Sequence, residues 1–352
     1  MKSGFIFGSE LKALRAHEHC PTTLNNKSVS GYIKKGYVNA PSTIYAGVQQ
    51  LEPGRVLTTK AGSNPVIRQY WSLEETSIAG CKKPDTRSDA DVTDHLQMLL
   101  RDSIKCRMIS DVPLGAFLSG GIDSSTVVAI MQEVNNSPVK TFSIGFGEQH
   151  LNEAKDAAAI AKHLNTDHTE LYINSQDALN VIPILHKIYD EPFADASQIP
   201  TYLVSKLTRE HVTVALSGDG GDELFAGYER YTKATRYRHI LKQPAFMQKA
   251  EARLLENLSP STLAGMSKLL PKKYQTALSL HNKEAVLSIL RDKNSLSLYQ
   301  QFLGHDPSPE KSLLNTESLP SSTWSSASNI EYNDRYAAMQ YLDTVDLSLI
   351  HI

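Results

Sequence analysis

The chain has 352 residues, 41% of them hydrophobic, and a formal net charge of −2 from 36 Lys+Arg against 38 Asp+Glu. That length suggests two domains with ordinary soluble cores, and the near balance of charge gives no reason to expect nucleic acid or an anionic membrane as partner. No apolar run reaches the ~18 residues of a spanning helix and no signal-peptide core is visible, so the expected compartment is the cytoplasm; Cys20, Cys81 and Cys106 are too scattered for a disulfide framework or a structural zinc site.

Residues 1–77 read as short β segments with one helix. Phe5-Ile6-Phe7, Ser42 to Tyr45, Arg55 to Thr58 and Val66 to Tyr70 are the strand candidates, Glu10 to Ala16 is the helix, and Leu51-Glu52-Pro53-Gly54 is a turn. Residues 78–87, polar and carrying Lys82-Lys83-Pro84, read as a linker. A helix is expected from Ser88, with Asp91 in the reach-back position of a capping box and Val92, Leu96, Leu99, Leu100 and Ile104 on one face. Strands at Val112–Leu118, Val139–Phe146, His168–Ile173 and Val212–Leu216 then alternate with helices at Asp123–Val134, Asn152–Leu164, 175–188 and Gln198–Leu207. This alternation predicts an α/β fold, a parallel sheet with helices on both faces. Ligands in such sheets bind at the carboxyl ends of strands, so Leu118, Ile144 and Ser217 are expected at one edge. Beyond Tyr231 the pattern is mainly helical: Lys233, Arg236, Arg238, His239 and Lys242 read as a solvated basic face, Leu263, Met266, Leu269 and Leu270 as a core stripe, and Ser318 to Ser328 as a loop.

Two stretches carry chemistry. In Phe117-Leu118-Ser119-Gly120-Gly121-Ile122-Asp123-Ser124-Ser125, a strand passes through two glycines into a helix. Unpaired N–H groups and the positive dipole end at such a terminus attract phosphate oxygens. Ser119, Ser124 and Ser125 add hydroxyl donors, and Asp123 stands where a carboxylate can hold a divalent cation. A Walker A loop is excluded, because Gly121-Ile122 stands where Lys-Ser/Thr is required. Ser217-Gly218-Asp219-Gly220-Gly221-Asp222-Glu223 repeats the strand-then-glycine pattern; a dinucleotide fingerprint fails at Glu223. Together the two stretches suit one nucleotide site with a metal between Asp123 and Asp222.

With both stretches in hand, the chain resembles the asparagine synthetase B family, the glutamine-dependent asparagine synthases. The first stretch resembles that family's ATP-pyrophosphatase loop, the second its S-G-[ED]-G-x-D-E motif, and Phe142-Ser143-Ile144-Gly145-Phe146 its intervening strand. Phe7-Gly8-Ser9-Glu10-Leu11-Lys12-Ala13-Leu14 and Leu51-Glu52-Pro53-Gly54 are similar to the end of its N-terminal glutaminase domain. The resemblance implies a β-rich remnant of an Ntn-type glutamine amidotransferase domain at 1–77 and a synthetase domain at 88–352. It implies ATP and Mg²⁺ as cofactors. Leu118 and Ile144 would contact adenine and ribose; Ser119, Gly120, Gly121, Ser124 and Ser125 would hold pyrophosphate; Asp123 and Asp222 would hold Mg²⁺. Ser217 and Gly218 would meet the adenylate, Asp219 would be linked to forming the acyl-adenylate, and Tyr228 would border that intermediate. The implied reaction activates a carboxylate, aspartate first among them, with loss of pyrophosphate, and amidates it with ammonia drawn from glutamine. The expected partners are these small molecules, with no nucleic acid and no membrane, and a homodimer is one option for assembly.

The chain departs from the family pattern at both ends. It starts Met1-Lys2-Ser3, no cysteine takes the place of the family's nucleophile, and Leu347-Ser348-Leu349-Ile350-His351-Ile352 resembles a translated library adapter where the family continues. A fragment of a longer protein, using ammonia at best, is therefore expected. Asp190-Glu191-Pro192-Phe193-Ala194-Asp195-Ala196-Ser197 resembles a branch that also amidates sugar acids, which leaves the acceptor open. A tRNA-thiolating enzyme would want cysteine pairs and a basic surface; a catalytically incomplete nucleotide-binding remnant is the alternative from another class.

Overall fold

The computed structural model describes residues 4–146, 153–236, 244–257 and 335–346, with Thr262, Leu287 and Tyr299. In the N-terminal segment, helix α1 (Leu11–Arg15) precedes α2 (Asn26–Lys35), which the sequence reading did not anticipate. Its signals are local: the Asn25 side chain caps the Lys27 N–H, Lys34 and Lys35 sit in the last turn, and Gly36 ends it at φ 85°. Strands β1 (Arg55–Thr58) and β2 (Val66–Gln69) pair antiparallel as an isolated ribbon. Phe5-Ile6-Phe7 forms no strand and pairs with none among the described residues, and Ser42–Tyr45 contributes only single bridges to Gln49 and Leu24. Its described residues thus hold more helix than strand, against the β-rich expectation.

Half of the expected linker is helix. In α3 (Leu73–Lys82), Ser72 accepts the Glu75 N–H as N-cap, and Leu73, Ile78 and Cys81 pack against a core of Tyr231, Tyr299, Met339, Tyr341 and Leu342. That apolar face is what the polar composition concealed. Helix α4 (Asp89–Arg107) begins at the expected cap, but the Asp91 carboxylate accepts the Ser88 hydroxyl at 2.6 Å. Of its stripe, Ile104 is buried while Val92 and Leu99 stay exposed.

The rest follows the alternating pattern. Strands β3 (Leu114–Phe117), β4 (Lys140–Phe146), β5 (Asp167–Ile173) and β6 (Val214–Leu216) form one parallel sheet in the order β5-β4-β3-β6. Helices α5 (Ile122–Val134) and α6 (Ala154–Leu164) pack with α4 over β3, where Ala116, Leu118, Val128, Met131 and Ala157 make the main core. The expected 175–188 helix divides into α7 (Ser175–Val181), a 3₁₀ turn at Ile182–Ile184 and α8 (Leu185–Ile188), because Pro183 lacks the N–H that would continue it. Then come α9 (Gln198–Arg209), α10 (Gly221–Phe225) and α11 (Glu229–Arg236), followed by helices Ala245–Asn257 and Arg335–Asp346. Arg238, His239, Lys242, the Leu263–Leu270 stripe, the serines of 318–328 and residues 347–352 lie outside the described residues. Among the described residues no helix is long and apolar enough to cross a membrane.

Candidate active site

The sheet brings the two glycine stretches to one edge. In register, Ala116 lies beside Leu216, so Leu118 and Gly218 leave their strands side by side; Leu118, 1% exposed, donates its N–H to the Phe142 carbonyl on β4, two residues before Ile144. Ser119 to Gly121 form the turn into α5. Gly120 has φ 86°, and a Cβ there would stand 2.9 Å from the Ala157 N at the start of α6, so conformation and space both demand glycine. The N-cap, Gly121, offers no side-chain acceptor, which leaves the first-turn N–H groups of α5 without a side-chain cap, as an anion site needs.

The serines brace this turn. The Ser124 hydroxyl accepts the Ser119 N–H at 3.2 Å, pairs with the Ser119 hydroxyl at 2.9 Å and reaches the Gly121 carbonyl at 3.3 Å; the Ser125 hydroxyl donates to the same carbonyl at 2.6 Å. Their oxygens therefore shape the loop, and the backbone is what the loop presents.

The second stretch lies directly on the first. A Cβ at Gly218 would come within 2.7 Å of the Ser124 N, and one at Gly221 within 2.5 Å of the Asp123 carboxyl carbon. Glycine here permits close contact between the two loops, which brings Asp222 within electrostatic reach of Asp123. Burial, with the like charge of Asp222 added, pushes the Asp123 carboxyl above its ordinary range. Ser217 donates its hydroxyl to the exposed Asp219 carboxylate at 3.0 Å. Two neighbouring carboxylates beside a bare helix N-terminus fit Mg²⁺, which takes one or two carboxylates and completes its shell with water and phosphate oxygens. Among the described residues no group of three or more His, Cys, Asp and Glu side chains could hold a metal by itself.

Behind α10 lies a network of which the sequence reading gave a role to Tyr228 alone. Glu223, 2% exposed, accepts the Tyr228 hydroxyl at 2.9 Å, and its other oxygen has no hydrogen-bond partner. Burial and the bond to Glu223 push the Tyr228 hydroxyl far above the usual phenol range, so it remains a proton donor at neutral pH. The Arg230 guanidinium lies 3.6 Å from the Tyr228 ring centre and 2.7 Å from Asp343. Asp343, fully buried, also accepts the hydroxyls of Tyr231 at 2.7 Å and Tyr299 at 2.5 Å. Helix Arg335–Asp346 is also held to α10, by the Gln340 amide on the Leu224 carbonyl at 2.6 Å. The available signal was an arginine between Tyr228 and Tyr231 and an aspartate two residues after Tyr341.

Sequence comparison finds that residues 95–347 match the model of the asparagine synthase family. The chain belongs to the asparagine synthase family. Residues 1–71 match the model of a glutamine amidotransferase domain. A Methanocaldococcus jannaschii protein named for glutamine-hydrolysing asparagine synthetase is 37% identical over 304 residues, covering 85% of this chain and 57% of its own length. Asparagine synthetase (glutamine-hydrolyzing) 1 of Bacillus subtilis is 34% identical over 243 residues, 69% of this chain and 37% of its own. For asparagine synthetase B (glutamine-hydrolyzing) of Escherichia coli the figures are 34% over 211 residues, 55% and 36%. The chain thus spans from about a third to just over half the length of these relatives. The asparagine synthase match begins within α4 and takes in both glycine stretches, the Arg230 network and helix Arg335–Asp346.

Proposed function

We propose that residues 88–352 carry the synthetase chemistry of an ATP-dependent amidotransferase, and that residues 1–77 derive from its glutaminase domain. The observation that carries the reading is the seating of Gly218 and Gly221 on the uncapped N-terminus of α5, with Asp222 close enough to raise the Asp123 carboxyl.

An acceptor carboxylate oxygen attacks the α-phosphorus of ATP, the bond to the bridging oxygen breaks, and pyrophosphate leaves. The first-turn N–H groups of α5 and the Gly120-Gly121 backbone hold the leaving phosphates. Asp123 and Asp222 would hold Mg²⁺, which when bound neutralises their charge. Ammonia then attacks the acyl carbon, the bond to AMP breaks, and the nitrogen loses a proton to solvent. Asp219, at the mouth of the second loop, lies toward the adenylate, and Tyr228, its hydroxyl proton donated to Glu223, borders the intermediate. In-line positioning is the main demand on these residues.

Aspartate is the leading acceptor, and a sugar acid is the second, on the strength of the Asp190–Ser197 stretch. ATP–pyrophosphate exchange by the purified chain tests the reading. Exchange that requires aspartate supports the first acceptor, and exchange that requires a hexuronic acid supports the second. ATP binding without exchange on any carboxylate refutes the synthetase assignment and leaves a nucleotide-binding remnant.

A further inference from the structure

Helix α10 has five residues, too few to hold itself, and its fixings come from the chain that follows it. The Gly227 N–H donates to the Asp222 carbonyl at 3.0 Å, Ala226 turns the chain at φ 58°, and Tyr228 returns its hydroxyl to Glu223 at 2.9 Å. A Cβ at Gly227 would stand 1.9 Å from the Asp222 Oδ1, so the Asp222 carboxylate lies against the Gly227 backbone, one residue before Tyr228. Where Tyr228 sits therefore governs where the Asp222 oxygens sit.

The Tyr228 ring is held by packing. The Arg230 guanidinium carbon lies over its face, 3.6 Å from the ring centre, and the Tyr231 ring meets it edge-on with centres 5.7 Å apart. Arg230 is fixed in turn by donated bonds: Nη2 to the Asp343 Oδ2 at 2.7 Å, and Nε to the same oxygen at 3.2 Å and to the Tyr299 hydroxyl at 2.8 Å. Asp343 is fully buried, which shields these bonds from water. A guanidinium tied in this way has its plane set, and a plane is what an aromatic face can rest on. A lysine ammonium could pair with Asp343 but would offer the ring no flat face.

We propose that Arg230 is a positioning residue for the divalent cation: braced on Asp343, it holds the Tyr228 ring, and through the Gly227–Tyr228 turn it sets the Asp222 carboxylate that shares the cation with Asp123. Helix Arg335–Asp346 thereby acts on the metal site from behind α10, across 113 residues of chain. Outer groups that orient a metal ligand weaken metal binding by about 10–100-fold when they are lost. Asp222 as a metal ligand rests on the amidotransferase reading; the brace on Tyr228 stands apart from it.

The test compares Arg230→Lys with Ile104→Ala, a truncation in the main core that touches none of this network, both in the full chain. Lysine keeps a charge opposite Asp343, so the variant is expected to fold, and its melting temperature checks that. Amide hydrogen exchange of the metal-free chain reads the brace: amides of 221–228 should exchange faster in Arg230→Lys while those of β3 and β4 do not change. Mn²⁺ binding, followed by electron paramagnetic resonance with a non-hydrolysable ATP analogue present, reads the carboxylate. Its dissociation constant should rise about tenfold in Arg230→Lys, and the Mg²⁺ needed for half-maximal pyrophosphate exchange should rise with it at an unaltered acceptor KM. Ile104→Ala should melt lower and bind Mn²⁺ as the unaltered chain does. Unchanged exchange at 221–228 overturns the brace. A loosened 221–228 with unaltered Mn²⁺ binding overturns the positioning role, and so does an equal loss of Mn²⁺ binding in Ile104→Ala, which would assign the effect to stability at large. An unaltered chain that neither binds Mn²⁺ with the analogue nor shows pyrophosphate exchange overturns the metal assignment of Asp222; hydrogen exchange then still decides the brace.

Discussion

Gly218→Ala puts the contact between the two loops to the sharpest test. The added methyl would stand 2.7 Å from the Ser124 N and 3.0 Å from the Asp123 carbonyl carbon, the first about 0.7 Å inside the 3.4 Å at which ordinary contact begins. Neither atom can yield alone, because Ser124 is tied to Ser119 and Gly121 by three hydrogen bonds. The loops must therefore part by a good fraction of an ångström. Overpacking of this kind costs about 1–3 kcal/mol of stability, or a fall of several degrees in melting temperature at ~2–4 °C per kcal/mol. A misplacement approaching ~1 Å in a positioning site costs up to about 10²-fold in rate. Thermal denaturation and pyrophosphate-exchange kcat/KM read the two effects. Gly80→Ala is the control: its methyl meets nothing within 4 Å inside α3, so helix propensity alone should add about 0.5–1 kcal/mol without touching activity. A Gly218→Ala chain that melts and turns over like the unaltered one would refute the close seating of the loops.

Asp343→Ala leaves Arg230 without its carboxylate and two tyrosine hydroxyls without their acceptor, and should cost about 3–5 kcal/mol in a denaturant titration; a cost below about 1 kcal/mol would show that the network is not closed as described. Asp123→Asn removes one of two neighbouring carboxylates, so the ligand-free chain should melt about 1–3 °C higher while losing pyrophosphate exchange; a lower melting temperature would contradict the repulsion. His168 bonds Thr141 at 2.8 Å and Ser143 at 3.2 Å, and burial holds its pKa below the ordinary value against the raising effect of Glu170. The unfolded chain then takes up this proton first as pH falls through about 6.5, so stability drops from there down to the folded pKa and is unaffected above it. Urea midpoints across that range should lose this slope in His168→Gln, and an unaltered slope would assign it to other groups.

The parallel sheet was legible because its signals are short in range. Each strand is an apolar run a few residues long, and each helix following it carries its own periodicity. Where a local signal misled, the cause was a missing or hidden partner. Phe5-Ile6-Phe7 has strand composition but pairs with no strand among the described residues, and residues 78–82 have linker composition but lie in a helix docked through Leu73, Ile78 and Cys81. Asn25 and Gly36, which bracket α2, were readable signals that a β-rich expectation passed over.

For the site, the sequence by itself determined two strand–glycine–helix turns and the chemistry each can offer, because turn glycines and helix N-termini act within a few residues of themselves. Only the tertiary structure decided that Gly218 lies on Ser124 and so brings Asp222 within electrostatic reach of Asp123, that Asp343 closes on Arg230 across 113 residues, and that Glu191 accepts the Ile44 N–H across 147. Those pairings join elements far apart in the chain. Their geometry is fixed by how whole helices and sheets pack, and no periodicity within a short window carries it.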